Sequence, residues 1–174
     1  MRRALISLGT NTARMLVVRD LPNGELEQLE HDQTGTRLGE GLGDDGTFAP
    51  AAVERTLAAV RAFVARAREL DATLSGIATS AMRRANDAPA FASRFREIAG
   101  VPLEVIDGEL EAASSFRGAT YGAVIGDRRI AVLDIGGGST ECAIGTAAGV
   151  TDAISLELGS VRVAERFPAL CGGE

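Results

Sequence analysis

Apolar residues recur along the 174-residue chain in two spacings, one typical of strands and the other of helices. Short apolar runs at 4–8 (ALISL) and 13–18 (ARMLVV) predict two strands, and a weaker alternation at 25–30 predicts a third. A Pro-Asn-Gly turn signal at 22–24 separates the second run from the third. We expect these three strands to form an antiparallel meander.

Helical and strand patterns alternate in the next part of the chain. A stretch rich in Gly, Asp and Thr at 33–46 predicts a loop, and apolar positions spaced by four, three and four residues then predict a helix over 50–70. Asp87, two residues before Pro89, is expected to cap a later helix that ends at Gly100. The other elements predicted here are strands at 74–78 and 102–106, a loop or short helical turn between 79 and 87, and a helix over about 109–121.

The chain then repeats its opening pattern. Residues 129–135 (RIAVLDI) give the strongest strand signal, followed by a glycine-rich turn, strands at 140–145 and 151–157, and a short helix at 160–167. Placing Gly9 on Gly136 aligns LISLGTNTARM with VLDIGGGSTEC, and each copy begins a three-strand meander. The second copy stops after its meander. We therefore predict a first lobe at 1–125 and the truncated beginning of a second lobe at 126–174. Either the chain is a fragment, or a partner supplies the rest, or the second lobe is unusually small.

The charged residues exclude several functions. The formal net charge is −6, which argues against a general nucleic-acid surface. All 18 basic residues are Arg, so the chain can have neither a Walker-type P-loop lysine nor a Schiff base. Any phosphate clamp must use Arg, backbone N–H groups or a metal.

The cysteines, the histidine and the amino-terminal residues give no sign of a metal site, an export signal or a membrane segment. Cys142 and Cys171 lack CxxC spacing and are expected to be free thiols rather than zinc ligands. His31 is the single histidine and is expected at the surface. The apolar run after the two initial arginines breaks at Gly9, too early for a signal peptide or a transmembrane span. We therefore expect a cytoplasmic protein that binds no membrane.

The segment DIGGGSTE, Asp134 to Glu141, carries the strongest chemical signal. Three glycines let the backbone turn sharply and bring its N–H groups close to an anion. Ser139 and Thr140 add hydroxyl donors, while Asp134 and Glu141 can hold a divalent cation or orient water. The alternative is a plain glycine-rich hairpin. A dinucleotide fingerprint is excluded, because it would need glycine at position 141.

Other candidate groups are individually more ambiguous. The turn Gly9-Thr10-Asn11, followed by Arg14, matches the second-copy turn, with Ser7 in the position of Asp134. Glu109 and Glu111 stand near a predicted helix start, where they either stabilise the helix dipole or include a general base. Loop arginines can bind phosphate in fork geometry or remain solvated. They are Arg14, Arg37, Arg83 and Arg84.

Six segments, in this order, resemble the exopolyphosphatase / guanosine-pentaphosphate phosphohydrolase (Ppx/GppA) family. They are ISLGTNTARMLVV, TRLGEGL, ATSAMRRAND, VIDGELEA, DIGGGSTECAIG and LELGSVRVAERF. The resemblance implies membership of the actin, sugar kinase and chaperone ATPase superfamily. The fold it implies is α/β, actin-like (ribonuclease H-like), with a mixed five-stranded sheet, helices and an incomplete second lobe.

The resemblance also implies an activity, which is hydrolysis of terminal phosphoanhydrides of polyphosphate or guanosine pentaphosphate with Mg²⁺ or another divalent cation, in a cleft between lobes. In that family pattern Glu111 is the general base, and Asp134 and Glu141 hold metal and water. The implied phosphate-binding residues are Gly9, Thr10, Asn11, Arg14, Arg83, Gly136, Gly137, Gly138 and Ser139.

Two departures from the family pattern leave alternatives open. Ser7 replaces the usual Asp before the first turn, and Asp87 replaces the usual Asn. Because a hydroxyl cannot supply a carboxylate's charge to a metal, the chain is either a hydrolase or a phosphate-binding protein or inactive fragment without turnover. Another ATPase of the superfamily would need an adenosine pocket that these motifs do not contain. An unfinished second sheet would leave an open edge, so a homodimer is also expected.

Overall fold

The computed structural model of the chain describes residues 1–42 and 46–170, which form two compact units. The first unit is Met1–Val105 and the second begins at Ile106. No helix in this described part combines the length and apolar character needed to cross a bilayer. Cys142 is a free thiol and His31 is exposed, as expected, whereas Cys171 lies outside the described residues.

The first unit is built on a mixed five-stranded sheet in the order β3-β2-β1-β4-β5. Strands β1, β2 and β3 form the expected antiparallel meander, and β4 and β5 extend it in parallel with β1. The predicted sheet is therefore confirmed. Its strands are β1 Arg2–Leu8, β2 Thr12–Asp20, β3 Leu26–Gly35, β4 Thr73–Ala78 and β5 Leu103–Val105.

Alternating side chains of this sheet are buried against helices of the same unit. The helices are α1 Pro50–Glu69, α2 Ser80–Arg84 and α3 Ala88–Ala99. Ile6 and Met15 on the covered face are fully buried, and Leu57 of α1 and Phe95 of α3 belong to the same core. Gly76 in β4 leaves the space that Phe95 fills, because a Cβ there would lie 2.5 Å from its ring.

The second unit has a three-stranded antiparallel sheet in the order β6-β7-β8, with one helix packed against it. Helix α4 covers one face of this sheet through Ala112 and Phe116, which pack with Ala143. The elements of this unit are α4 Gly108–Thr120, β6 Ile130–Ile135, β7 Thr140–Thr146, β8 Gly149–Leu156, α5 Ser160–Arg166 and a 3₁₀ turn Pro168–Leu170.

The two meanders repeat each other in register. Leu8 pairs with Ala13 across the first turn and Ile135 pairs with Thr140 across the second, an offset of 127 residues. The second and third strands shift register between Val17 and Val18 in one copy and between Ile144 and Gly145 in the other, again offset by 127. The structure therefore shows the internal repeat that the sequence alignment predicted.

Some predicted boundaries were wrong. Strand β3 continues to Gly35, so residues 33–35 of the expected 33–46 loop lie in a strand, and residues 43–45 fall outside the described part. These strand residues are polar and exposed, so they lack the alternation that marks a half-buried strand. The expected lobe boundary at 125/126 also differs from the division at 105/106, because α4 packs on the second sheet.

The helix caps also differ from the expectation. Asp87 precedes α3, but its side chain makes no cap hydrogen bond and instead accepts from the backbone N–H of Phe48, with Oδ1 at 3.2 Å. Asp107 does cap α4, since its carboxylate accepts from Leu110 N at 2.7 Å. The Asp87 carboxylate is used in a tertiary contact that no local sequence pattern encodes.

Candidate active site

Two carboxylates of the second unit stand side by side. Asp134 near the end of β6 and Glu141 near the start of β7 are direct cross-strand partners, so their side chains share one face of the sheet. Asp134 is exposed, whereas Glu141 is only 2% exposed. Two like charges placed opposite each other in a sheet repel, so this pair favours a bound cation.

Each of these carboxylates accepts a hydrogen bond from a serine that sequence reasoning missed. Ser115 Oγ on α4 donates to Asp134 Oδ2 at 2.6 Å, and Ser155 Oγ on β8 donates to Glu141 Oε1 at 2.7 Å. Serine is common on helix surfaces and strands, so no motif singled these two out. The signal that could have found Ser155 is its position in the third strand of the meander, opposite Glu141.

Glu111 lies on the face of α4 that meets the second sheet. It stands one helical turn before Ser115, which bonds Asp134, and beside the buried Ala112. Glu111 itself is partly buried, whereas Glu109 in the same turn is exposed. The three predicted carboxylates, Glu111, Asp134 and Glu141, therefore belong to one packed unit.

The glycine-rich turn after β6 is held by its own carbonyl oxygens. Gly136 N donates to Ser139 O at 2.9 Å, and the Gly137 carbonyl accepts from Val161 N at 3.0 Å. Gly159 allows this approach, because a Cβ on it would lie 2.4 Å from the backbone of Gly137. The N–H groups of Gly137 and Gly138 donate to no group among the described residues, so they remain available to an anion.

The first turn is built in the same way. Gly9 N donates to Thr12 O at 3.0 Å, and the Thr10 carbonyl accepts from Gly39 N at 2.9 Å. Gly39 packs on Thr10 as Gly159 packs on Gly137, since a Cβ on it would lie 2.3 Å from the Thr10 methyl. The TRLGEGL segment that carries Gly39 therefore supports the first turn, a role that its sequence did not reveal.

The predicted arginines lie at or near the same end of the first sheet. Arg83 is in α2, which follows the carboxyl end of β4, and the first turn follows the carboxyl end of the neighbouring parallel strand β1. Thr79 N, just before α2, donates to Leu8 O at 3.2 Å and fixes the two segments together. Arg83 is partly buried, while Arg14 is exposed on β2 opposite Ser7.

The residues fit a hydrated divalent cation rather than a closed metal cage. Residues 1–42 and 46–170 contain no cluster of three or more His, Cys, Asp or Glu side chains arranged to hold a metal. Mg²⁺ in phosphate-handling sites is bound by one or two carboxylates, several waters and substrate phosphates. Asp134 and Glu141 supply such a pair, with Asp134 the more accessible of the two.

Comparison with known proteins gives a consistent result. The family model described as "Ppx/GppA phosphatase family" matches residues 17–169. An exopolyphosphatase from Cytophaga hutchinsonii superimposes with a TM-score of 0.90 at 28% identity, covering 96% of this chain and 54% of that one. An exopolyphosphatase-like protein superimposes with a TM-score of 0.89 at 34% identity, covering 95% and 53%. This chain thus spans about half the length of these solved relatives.

More distant structures show the fold alone. The PilM–PilN type IV pilus biogenesis complex matches with a TM-score of 0.59 at 15% identity, over 98% of this chain and 66% of that one. PilM has the actin-like ATPase fold, and the exopolyphosphatases share the mixed five-stranded sheet with helices. The α/β, actin-like fold expected from the sequence is therefore confirmed.

Proposed function

The chain belongs to the Ppx/GppA phosphatase family, and on that premise we propose that it takes part in hydrolysis of the terminal phosphoanhydride bonds of polyphosphate or guanosine pentaphosphate. The observation that carries the proposal is the arrangement of the second unit. Glu111, Asp134 and Glu141 lie in the same unit as a strand-turn-strand in which the N–H groups of Gly137 and Gly138 donate to no described residue. Together they provide the groups that phosphoryl transfer to water needs.

Glu111 is proposed as the general base. A carboxylate that accepts a proton from water makes the water oxygen a better nucleophile toward the terminal phosphorus. As the new phosphorus–oxygen bond forms, the bond to the bridging oxygen breaks, releasing orthophosphate and a chain shortened by one unit. The partial burial of Glu111 on the sheet-facing side of α4 restricts its position, which helps a general base.

The glycine-rich turn is proposed to bind the phosphoryl oxygens. Negative charge spreads over these oxygens in the transition state, and fixed N–H groups stabilise it without reorganising. Gly137 and Gly138 supply N–H groups that donate to no described residue, and Ser139 adds a buried hydroxyl. When bound, a divalent cation at Asp134 and Glu141 would neutralise charge on the phosphate oxygens.

The first unit is proposed to bind phosphate through a similar turn. Thr10 and Asn11 hold their carbonyls toward the 36–39 segment, and their N–H groups donate to no described residue. Arg83 lies at the same end of the sheet and can add a fork of donors for phosphate oxygens. Because the chain has no lysine, arginine is its cationic side chain for this task.

The test is phosphate release from long-chain polyphosphate with Mg²⁺, comparing the chain with its Glu111→Gln variant. Removing a general base should slow release by about 10²- to 10⁴-fold. Glu109→Gln is the matched control, since Glu109 lies in the same helical turn but is exposed. It should release phosphate at close to the original rate.

The results separate hydrolysis from binding. Release that is lost in Glu111→Gln and kept in Glu109→Gln would support the proposed function. Equal rates for all three proteins would show that Glu111 is not the base. Folding of each variant is checked by circular dichroism, so that a lost activity is not confused with a lost fold.

One observation favours a second candidate, a phosphate-binding protein without turnover. Ser7 occupies the place in the first meander that Asp134 occupies in the second, so the first unit offers a hydroxyl where the family has a carboxylate. Polyphosphate binding measured by calorimetry, together with no phosphate release from a folded protein, would identify this function.

A further inference from the structure

Glu141 is a buried carboxylate with one described hydrogen-bond donor. The residue is 2% exposed, and Ser155 Oγ donates to its Oε1 at 2.7 Å. A buried carboxylate without compensating hydrogen bonds is strongly disfavoured, so the Ser155 bond matters more here than it would at the surface. Because that bond occupies Oε1, Oε2 is the oxygen left for water or a cation.

The fold places Ser155 next to Glu141 through two independent contacts. Strand β8 pairs with β7 so that Ser155 lies directly opposite Glu141, and both side chains share one face of the sheet. The first residue of α4, Gly108, then closes over the serine. A Cβ on Gly108 would lie 2.3 Å from Ser155 Cβ and 2.7 Å from its Oγ. Only glycine at 108 lets the helix begin this close to the serine.

We propose that Ser155 is the positioning residue for Glu141, and that Gly108, which has no Cβ, leaves the space that the Ser155 side chain occupies. The inference rests on the proposed function, in which Glu141 acts beside Asp134. Ser155 does not touch the reacting atoms. Its hydroxyl fixes the rotation of the Glu141 carboxylate, so that one oxygen is held inside the unit and the other stays in the orientation that the reaction uses.

Ser115 offers an internal comparison. It donates to Asp134 at 2.6 Å, but Asp134 is exposed and can exchange this bond for water. Replacing Ser115 by alanine should therefore change activity much less than replacing Ser155. A further serine, Ser114, is exposed on α4 and bonds neither carboxylate, so Ser114→Ala serves as the matched control.

The experiment is a double-mutant cycle with Ser155→Ala and Glu141→Gln, measuring phosphate release from polyphosphate with Mg²⁺. Ser155→Ala should lower kcat/KM for phosphate release by about tenfold. If Ser155 acts through Glu141, the same substitution in a Glu141→Gln background should change kcat/KM by less than about twofold. Equal losses in both backgrounds would overturn the proposal, because a purely structural role does not depend on the Glu141 carboxylate.

A second readout keeps this inference separate from the proposed function. The dissociation constant for polyphosphate with Mg²⁺ is measured by calorimetry on the same four proteins, which requires no turnover. Suppose that polyphosphate binds without phosphate release, and that Ser155→Ala weakens this binding only when Glu141 is present. That result would refute hydrolysis and support the positioning role. A wild-type chain that is folded but neither binds nor releases phosphate would overturn both.

Discussion

The two meanders share a turn, a register and a β-bulge, yet each buries the opposite face of its sheet. Ile6 and Leu8 of β1 are fully covered, whereas Leu133 and Ile135, their equivalents 127 residues later, are 63% and 66% exposed. In the first unit the buried face packs against helices α1 and α3. In the second unit α4 covers the other face, which carries Asp134 and Glu141.

This difference shows that one strand-turn-strand unit can be packed in two ways. The register between strands fixes the turn in both copies, and in both turns two backbone N–H groups donate to no described residue, as the proposed phosphate binding requires. Which face the helices cover then decides whether the side chains beside the turn face a helix, as in the second copy, or lie on the uncovered face, as in the first. In the second copy those positions carry a carboxylate pair, while in the first they carry Ser7 and Arg14.

The largest expected effect comes from substituting the equivalent residues that precede the two turns, one at a time. Asp134→Asn removes the accessible carboxylate of the pair and should slow phosphate release by about a hundredfold or more. Ser7→Ala, at the equivalent position of the first copy, should leave release within about twofold. Phosphate release under identical Mg²⁺ concentrations measures both. A comparable loss of phosphate release in Ser7→Ala would mean that both meanders contribute to the chemistry, which would contradict the proposed difference between them.

Much of this arrangement could be predicted because it depends on local pattern. The offset of 127 aligned Gly9 with Gly136 from sequence alone, and the register of the strands agrees with it. Ser155 could not be predicted, because its role depends on pairing between β7 and β8 and on the closeness of Gly108. The Asp87 carboxylate was misassigned for the same reason, since its partner Phe48 lies far away in sequence.

A second prediction tests the difference in covered faces. Ile6→Ala should lower the free energy of unfolding by about 2–5 kcal/mol, since it leaves a cavity in a closed core. Leu133→Ala, its equivalent, should change that free energy by less than about 0.5 kcal/mol because the side chain is largely exposed. Urea unfolding measures both. A large loss for Leu133→Ala would show that this face is covered in solution, as the expected homodimer could do.

A third prediction concerns the glycines that support the two turns. Gly159→Ala places a Cβ 2.4 Å from backbone atoms of Gly137 and Gly138, which cannot move away without distorting the turn. Gly39→Ala meets the Thr10 methyl at 2.3 Å, a side-chain group that can give way. Overpacking should lower the free energy of unfolding by about 3 kcal/mol in the first case and about 1 kcal/mol in the second.

A double variant checks this explanation. Thr10→Ser removes the methyl group that Gly39→Ala would strike, so it should restore most of the stability lost by Gly39→Ala. No side-chain truncation can relieve Gly159→Ala, because its contacts are backbone atoms. Urea unfolding of the single and double variants provides the measurement. If Thr10→Ser does not restore stability to Gly39→Ala, the loss has a cause other than contact with the Thr10 methyl group.

The smallest expected effect is a pH dependence of stability that comes from an ion pair of the first unit. Arg66 of α1 donates to both oxygens of the Glu30 carboxylate at 2.8–2.9 Å from Nε, and it also pairs with Glu69. Hydrogen bonds from Arg66 lower the pKa of Glu30 and raise that of Arg66. The described residues of the second unit contain an ion pair between Arg162 and Glu157 at 2.6 Å and a longer one between Arg129 and Asp152 at 3.8 Å.

A carboxylate whose pKa is lowered by folding stabilises the native state above its unfolded pKa, and this contribution fades as the pH falls through the folded value. The stability lost in Arg66→Gln should therefore be present at pH 7 and smaller at an acidic pH, because Glu30 loses its charge as the pH falls through its lowered folded pKa. Arg61→Gln, an exposed change on the same helix, should show no such trend. Urea unfolding at the two pH values measures the difference in the free energy of unfolding between the unsubstituted chain and Arg66→Gln. A difference that does not change with pH would show that Arg66 stabilises by packing its side chain rather than through its charge.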